Sequence, residues 1–418
     1  MEIRAEIIEI AAAAKQAVEY LSEASSKAKN EALEAIAAEL TKRSLLILKA
    51  NAKDVECAKK GKKSKAFIER LALTKNRIKK MSDDVRSIIA LGDPVGEIIK
   101  LWKRPNGLMI GKMRVPLGVI GIIYESRPNV TSDCAALCLK SGNAVILRGG
   151  KESFNSNKAI YKAICAALEK SGFPNGCVSF IPTVDREAVS VMLGLADYID
   201  LIIPRGGEAL IRSVVEMSKI PVIKHYKGIC HTYVDEHADM AMAEEIAFNA
   251  KVHSPSTCNA MECLLVHIAV AKEFLPKCVK RLQKAGVEIR GCSRTMAICP
   301  GIKKVSEEDF ATEYLDLMLS VKIVDSLEEA AAHIARYGSK HSDAIVTNNF
   351  QNGMKFLKKV DAACVYLNAS TRFTDGNEFG LGAEIGVSTD KLHARGPMGL
   401  EELTTYKYII MGNGQIRT

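Results

Sequence analysis

Between residues 119 and 203 the sequence alternates short β-branched apolar runs with longer stretches of helical spacing, and this rhythm restricts the fold more than any other feature. VIGII (119–123), AVILR (144–148), CVSFI (177–181) and IDLII (199–203) have the length and composition of strands buried on both faces. Between them, VTSDCAALCLKS is helical and stops at Gly142 as a C-terminal cap. A second helix opens at RGGKES and a third at Asp185. Strand–helix–strand repeated in this way predicts an α/β fold with a doubly wound parallel sheet.

A similar series follows Asp235. ADMAMAEEIAFNAK, VAKEFLPKCVKRLQKAG and SLEEAAAHIARYG read as helices, and CLLVH (263–267) and DAIVTNN (343–349) as strands, which predicts a second α/β unit. Residues 2–100 read as amphipathic helices and 104–118 as a hairpin. The last apolar run, YKYIIMG, reads as an edge strand that another subunit could pair with.

Several function classes are excluded. No apolar run approaches the ~18 residues needed to span a bilayer. The start, EIRAEIIEIAAAAK, carries acids where a secretory signal needs a basic, then uncharged segment. Twelve scattered cysteines without a CxxC pair suit reduced thiols in a cytoplasm. The net charge of +9 comes largely from runs such as KKGKKSK and KNRIKK, which no aromatics interleave. They read as solvated helix faces rather than a nucleic-acid surface. There is no GxGxxG, no GxxxxGK[ST] and no HExxH. The eight histidines do not pair with cysteines at ligand spacing, so no metal is expected.

Three places could carry chemistry. Arg148, Gly149, Gly150, Lys151 and Ser153 stand at the carboxyl end of the second strand, where open sheets bind ligands. Pro204-Arg205-Gly206-Gly207 follows the strand 199–203 in the same way. Glycines there let a phosphate approach the backbone, yet both places read equally well as ordinary strand-to-helix turns. The third place is NAKVHSPSTCNAMECLLVH (249–267). Cys263 begins an apolar strand and reads as a filler, as do Cys134, Cys138 and Cys165 on helix stripes. Cys258 follows a proline-containing loop between a helix and a strand, where a thiol can face a cleft. Its position alone does not establish reactivity.

FNAKVHSPSTCNAMECLLVH resembles the nucleophile segment of the aldehyde dehydrogenase superfamily. VPLGVIGIIYESRPNVTSDCAALCLKSGNAVILRGGKES, PVIKHYKGICHTYVDE and NASTRFTDGNEFGLGAEIGVSTDKLHARGPMGLEELTTYKYI resemble the branch of that superfamily that reduces L-glutamyl 5-phosphate. The likeness runs along essentially the whole chain. It departs before the cysteine, where Arg-Pro-Gly is expected and this chain has His253-Ser254-Pro255-Ser256-Thr257.

The resemblance implies NADPH-dependent reduction of L-glutamyl 5-phosphate to the 5-semialdehyde, the second step of proline synthesis from glutamate. It implies Cys258 as the nucleophile and a thioester intermediate. Oxyanion donors would be the backbone N–H of Cys258 with Ser126 or Asn129 of YESRPN, which stands in place of a Pro-Trp-Asn stretch. Arg127 and Arg372, with Lys224 a weaker candidate, would bind the substrate's anionic groups. Arg148, Gly149 and Lys151 would hold the adenosine ribose, the two cations preferring NADP. Gly206, Gly207 and Glu384 would complete the cofactor site, Glu384 reading equally as a structural carboxylate. The water-activating Glu-Leu-Gly-Gly segment of hydrolytic relatives is replaced by Lys227-Gly228-Ile229-Cys230-His231, which has no carboxylate. His231 opens a strand and reads as structural at least as well as a base.

The implied organisation is a cofactor domain at 1–228 completed by 365–400, and a nucleophile domain at 229–364. The 104–115 hairpin and 401–418 would form the interface of a homodimer or homotetramer. The implied partners are the small substrate and, as an open idea, transient contact with the glutamate 5-kinase that supplies it; neither nucleic acid nor membrane is implied. Rival readings are an acylating reductase of another acyl phosphate or an acyl-CoA, a non-catalytic binding protein on this scaffold, and a thiol hydrolase.

Overall fold

The computed structural model describes residues 2–224 and 226–417. The chain divides into two compact units. The first comprises Met1–Lys224, Gly380–Gly386 and Met398–Thr418, and the second His225–Phe379 and Val387–Pro397.

The first unit carries a four-stranded parallel sheet in the order Val178–Phe180, Ala144–Gly149, Val119–Tyr124, Leu201–Arg205. Every residue of Val119–Tyr124 is buried, which explains its unbroken apolar run. Successive strands step outward from Val119–Tyr124, and Leu201–Arg205 then returns to its other side. The carboxyl ends of these two neighbours therefore flank the topological switch point. The expected helix after the first strand runs Val130–Lys140, and Gly142 follows it at φ 75°, with its N–H donating to the Leu139 carbonyl.

Helices Glu2–Glu23, Ser26–Lys42, Ser44–Lys60, Lys65–Leu71 and Lys75–Ile89 form the amino-terminal part. Ser25, Ser64 and Thr74 cap three of them by accepting backbone N–H bonds. Helical structure stops at Ile89 rather than near residue 100. Ile98–Lys103 is a strand, pairing antiparallel with Met109–Pro116. The hairpin thus begins before residue 104, and Arg104–Leu108 is its turn, with Gly107 at φ 90°. Thr404–Met411 pairs on the other side of Met109–Pro116 and ends the sheet there. Leu101, Tyr408 and Ile410 of this sheet are exposed.

The second unit has a seven-stranded parallel sheet, ordered Lys303–Lys304, Glu288–Gly291, Met318–Val324, Met261–His267, Cys230–Val234, Ser342–Val346, Cys364–Leu367. One face packs Leu264, Val266, Phe274 and Leu282; another cluster holds Tyr233, Leu265, Ile334 and Phe356. Because Cys364–Leu367 closes the edge beside Ser342–Val346, residues 365–379 belong to this unit. The expectation that 365–400 completes the other domain is corrected: only 380–386 and 398–400 lie there. Among the described residues, no helix is long and apolar enough to cross a membrane.

Candidate active site

Cys258 sits on a short turn between helix Met240–Val252 and strand Met261–His267. The Thr257 hydroxyl can donate to the Ser254 carbonyl at 2.8 Å or to Oδ1 of Asn259 at 3.0 Å. Ala260 N–H donates to the Thr257 carbonyl at 3.0 Å. These bonds close the backbone around Cys258. Asn259 is buried and fastens the turn to the segment after strand Cys364–Leu367. Its Nδ2 donates to the Thr374 carbonyl at 2.9 Å, and its own carbonyl accepts from the Thr371 hydroxyl at 2.7 Å. Cys258 is half-buried, whereas Cys263 is fully buried on its strand, as expected of a filler.

Arg372, expected at the substrate's anionic groups, is placed beside the Cys258 turn. Its Nη1 donates to Oγ1 of Thr257 at 3.0 Å. Burial draws its pKa down, and the charges of Cys258 and Asp375 draw it back up. A guanidinium in electrostatic contact with a thiol favours the thiolate.

On the other side of the turn stands Gly228. A Cβ there would lie 1.8 Å from the Cys258 carbonyl oxygen and 2.5 Å from its Cα, so only glycine fits this approach. Glu313 fixes Gly228 by accepting its N–H at 2.8 Å. The Lys227–His231 stretch has no carboxylate of its own, but folding brings Glu313 to it, with Oε1 held by that amide. The Cys230 thiol donates to the Cys258 carbonyl at 3.2 Å. Burial pushes the Cys230 thiol well up, so it stays a thiol that braces the Cys258 backbone.

His231 lies in the core of this unit. Its backbone N–H and its Nδ1 both engage Oδ1 of Asp343 at 3.0 Å. Its structural reading therefore fits its surroundings better than a role as base. The linear spacing of histidines and cysteines proves misleading here. His231, Cys263 and His333 bring one ligating atom each within 4.8 Å of one another. Neighbouring strands and a helix make this grouping, which separations of tens of residues hide. Sγ of Cys263 already meets Nε2 of His333 at 3.7 Å, and no fourth such ligand joins the group among the described residues. It is a buried polar knot in the core.

The expected cofactor residues belong to the first unit, at the sheet's carboxyl ends. Lys151 is exposed on the turn Lys151–Ser153, after strand Ala144–Gly149. Arg148 is engaged differently from expectation. Its Nη2 donates to the carbonyls of Val184 and Asp185 at 3.0 and 3.2 Å, and Nη1 to that of Gly149 at 3.1 Å. It ties two loops together. Gly149 answers to packing, because a Cβ would stand 2.1 Å from Nδ2 of Asn157.

Gly206 and Gly207 follow the returning strand at the switch point. There the carboxylate of Glu125, which sequence reasoning missed, accepts the Gly207 N–H at 2.9 Å. The amide expected to meet a phosphate is thus held by an acid. In YESRPN, Ser126 is buried and Arg127 and Asn129 are exposed. Nδ2 of Asn129 donates to Asp133 at 2.8 Å, which engages the amide proposed for the oxyanion. Glu384 is half-buried in Gly380–Gly386.

A sequence model of the aldehyde dehydrogenase family matches residues 2–314. The gamma-glutamyl phosphate reductase of Thermodesulfovibrio yellowstonii is 56% identical over 417 residues, covering 100% of both chains. This chain belongs to the gamma-glutamyl phosphate reductases of the aldehyde dehydrogenase family. The gamma-glutamyl phosphate reductase of Halothermothrix orenii is 55% identical, again covering 100% of both. The crystal structure of that reductase from Thermotoga maritima superposes with a TM-score of 0.97 at 48% identity, covering 99% of this chain and 100% of the other. An acetylating aldehyde dehydrogenase from Geobacillus thermoglucosidasius shares the fold, with a TM-score of 0.71 at 17% identity, covering 100% of this chain and 98% of the other. The family supplies the reason for the two parallel sheets, and the Cys258 turn leads into the central strand of the second.

Proposed function

We propose that this gamma-glutamyl phosphate reductase converts L-glutamyl 5-phosphate to L-glutamate 5-semialdehyde and phosphate through a thioester on Cys258, as a step of proline biosynthesis. The observation that carries this reading is full-length identity of 55–56% to two reductases so named. The placement of Cys258 supports it: the thiol is half-buried on a pinned turn, in electrostatic contact with Arg372.

The chemistry follows from the residues. The Cys258 thiolate attacks the acyl carbon, and the C–O bond to phosphate breaks with its electron pair leaving on phosphate. The resulting thioester divides one difficult displacement into two easier steps. A bound nicotinamide cofactor would supply the hydride that reduces the thioester. The tetrahedral alkoxide then collapses, the C–S bond breaks, and the thiolate and aldehyde separate. Each tetrahedral state carries an oxyanion, and one well-placed donor is worth on the order of 3 kcal/mol. With the Asn129 amide engaged by Asp133, the backbone N–H of Cys258 is the leading donor. Arg127 is the exposed cation for the substrate's anionic groups.

The first unit suits the cofactor. Lys151, after the second strand, offers an exposed charge for the 2′-phosphate that distinguishes NADPH. Arg148, bound to carbonyls, would shape that place rather than neutralise the phosphate. The exposed strand Thr404–Met411 is the surface through which two copies would pair.

The reaction run backwards tests the reading. Semialdehyde with NADP should yield NADPH only when inorganic phosphate is present, and Cys258→Ala should abolish it. Phosphate-independent oxidation, turnover that survives the alanine, or coenzyme A replacing phosphate would each overturn it.

A further inference from the structure

We propose that the buried ion pair Lys251–Glu262 is a positioning device that holds the Cys258 turn in its reactive geometry. The inference rests on the reading of Cys258 as nucleophile.

Lys251 lies on the last turn of the helix that leads into the turn, and Glu262 is the second residue of the strand that leaves it. Nζ of Lys251 donates to Oε2 of Glu262 at 2.6 Å, with the side chains 0% and 1% exposed. The pair therefore joins the two ends of the segment that carries Cys258, below its hydrogen-bonded surface. A packing function alone would be served by two apolar side chains. Charges removed this fully from water require good geometry on both sides to be tolerated.

That geometry comes from one segment. The Leu315 N–H donates to Oε1 of Glu262 at 3.1 Å, and the Tyr314 ring centroid lies 6.0 Å from Nζ of Lys251. The preceding residue, Glu313, accepts the N–H of Gly228, whose Cα abuts Cys258. Residues 313–315 thus reach the turn twice, through Gly228 at its outer side and through Glu262 at its base. Tyr314 is anchored by Asp309 at 3.0 Å and Ser320 at 2.9 Å, which joins this segment to strand Met318–Val324.

Burial pushes the Glu262 carboxyl up and pulls the Lys251 ammonium down. Each partner opposes that tendency in the other, so losing either changes the charge state of the one that remains. A lone buried carboxyl takes up a proton and its hydrogen bonds rearrange. The turn then loses a fixed point at its base.

Four variants decide the matter: Lys251→Met, Glu262→Gln, Lys251→Arg, and the apolar pair Lys251→Met/Glu262→Leu. Three readouts are used: amide hydrogen exchange of residues 253–260 in the unliganded protein, melting temperature, and kcat and KM at a temperature where near-UV circular dichroism shows each variant folded. Lys251→Met and Glu262→Gln should speed exchange across 253–260 and lower kcat by ~10-fold or more, with KM changed less than about twofold. Lys251→Arg should recover most of the lost kcat. The apolar pair should regain melting temperature without regaining kcat. An apolar pair with wild-type kcat and wild-type exchange would overturn the proposal, since the pair would then serve stability alone. If the wild type fails to turn over the proposed substrate, the functional reading falls, while hydrogen exchange still decides whether the pair fixes the turn.

Discussion

Replacing Gly228 by alanine places a methyl carbon 1.8 Å from the Cys258 carbonyl oxygen and 2.5 Å from its carbonyl carbon and Cα. Real Cβ contacts essentially never fall under 3.0 Å. The obstacle is backbone, so no side-chain rotation relieves it. The oxygen must retreat by about 1.2 Å, or Gly228 must move and strain the bond that Glu313 makes to its amide. Thr257 and Asn259 pin the turn on its far side, so displacement passes to Cys258. A misplacement near 1 Å costs roughly 10²-fold in rate, and overpacking costs about 1–3 kcal/mol in stability. Gly228→Ala should therefore lower kcat by about two orders of magnitude while the protein still folds. Gly92→Ala provides the control, because nothing lies within 4 Å of a Cβ at that position. The assay is phosphate-dependent NADPH formation from the semialdehyde, with melting temperature measured in parallel. A folded Gly228→Ala variant with kcat within about twofold of the control would refute the argument that the Cys258 backbone is set by this contact.

Arg372→Met removes the cation beside Cys258, so the pH at which iodoacetamide modifies Cys258 should rise; an unchanged alkylation profile would detach Arg372 from the thiol. Lys151→Ala should raise KM for NADPH by ~10-fold or more and leave KM for NADH nearly unchanged, in line with the loss of one charge-assisted hydrogen bond; equal losses with both cofactors would remove Lys151 from the 2′-phosphate. Hydrogen bonds from Lys170 and then Arg43 lower the Glu39 carboxyl to about 2. Its stabilising contribution is complete above the ordinary glutamate range and disappears as pH falls towards 2. Glu39→Gln should accordingly lower the urea midpoint at pH 7 and match the wild type near pH 2. Ile410→Asp, on the exposed edge strand, should dissociate any oligomer in sedimentation without lowering the protomer's melting temperature.

The repeated buried strands were legible because length and β-branched composition suffice: Val119–Tyr124 and the first four residues of Ala144–Gly149 are apolar on both faces. Ile98–Lys103 was missed for the opposite reason. Its residues are mostly exposed, and Lys100 and Lys103 give it no buried face to announce a strand; its partner Met109–Pro116 makes it one. The same distinction runs through the site. Cys258 was visible as a thiol in a proline-containing loop, since loop chemistry is local. Arg148 and Arg372 were recognisable as cations near the right segments, yet their partners were not. The carbonyls of Val184 and Asp185 and the hydroxyl of Thr257 are chosen by tertiary packing. Glu125, Glu313 and Lys251–Glu262 carry no motif at all. Each matters through one oxygen or one ammonium placed against a particular backbone atom or opposite charge, across as few as 11 and as many as 85 residues. A sequence states which residues can do chemistry; what holds those residues still is decided by pairings that only folding creates. In this chain the uneventful glycine of KGIC sets the approach to the Cys258 backbone, although nothing in the sequence marks it.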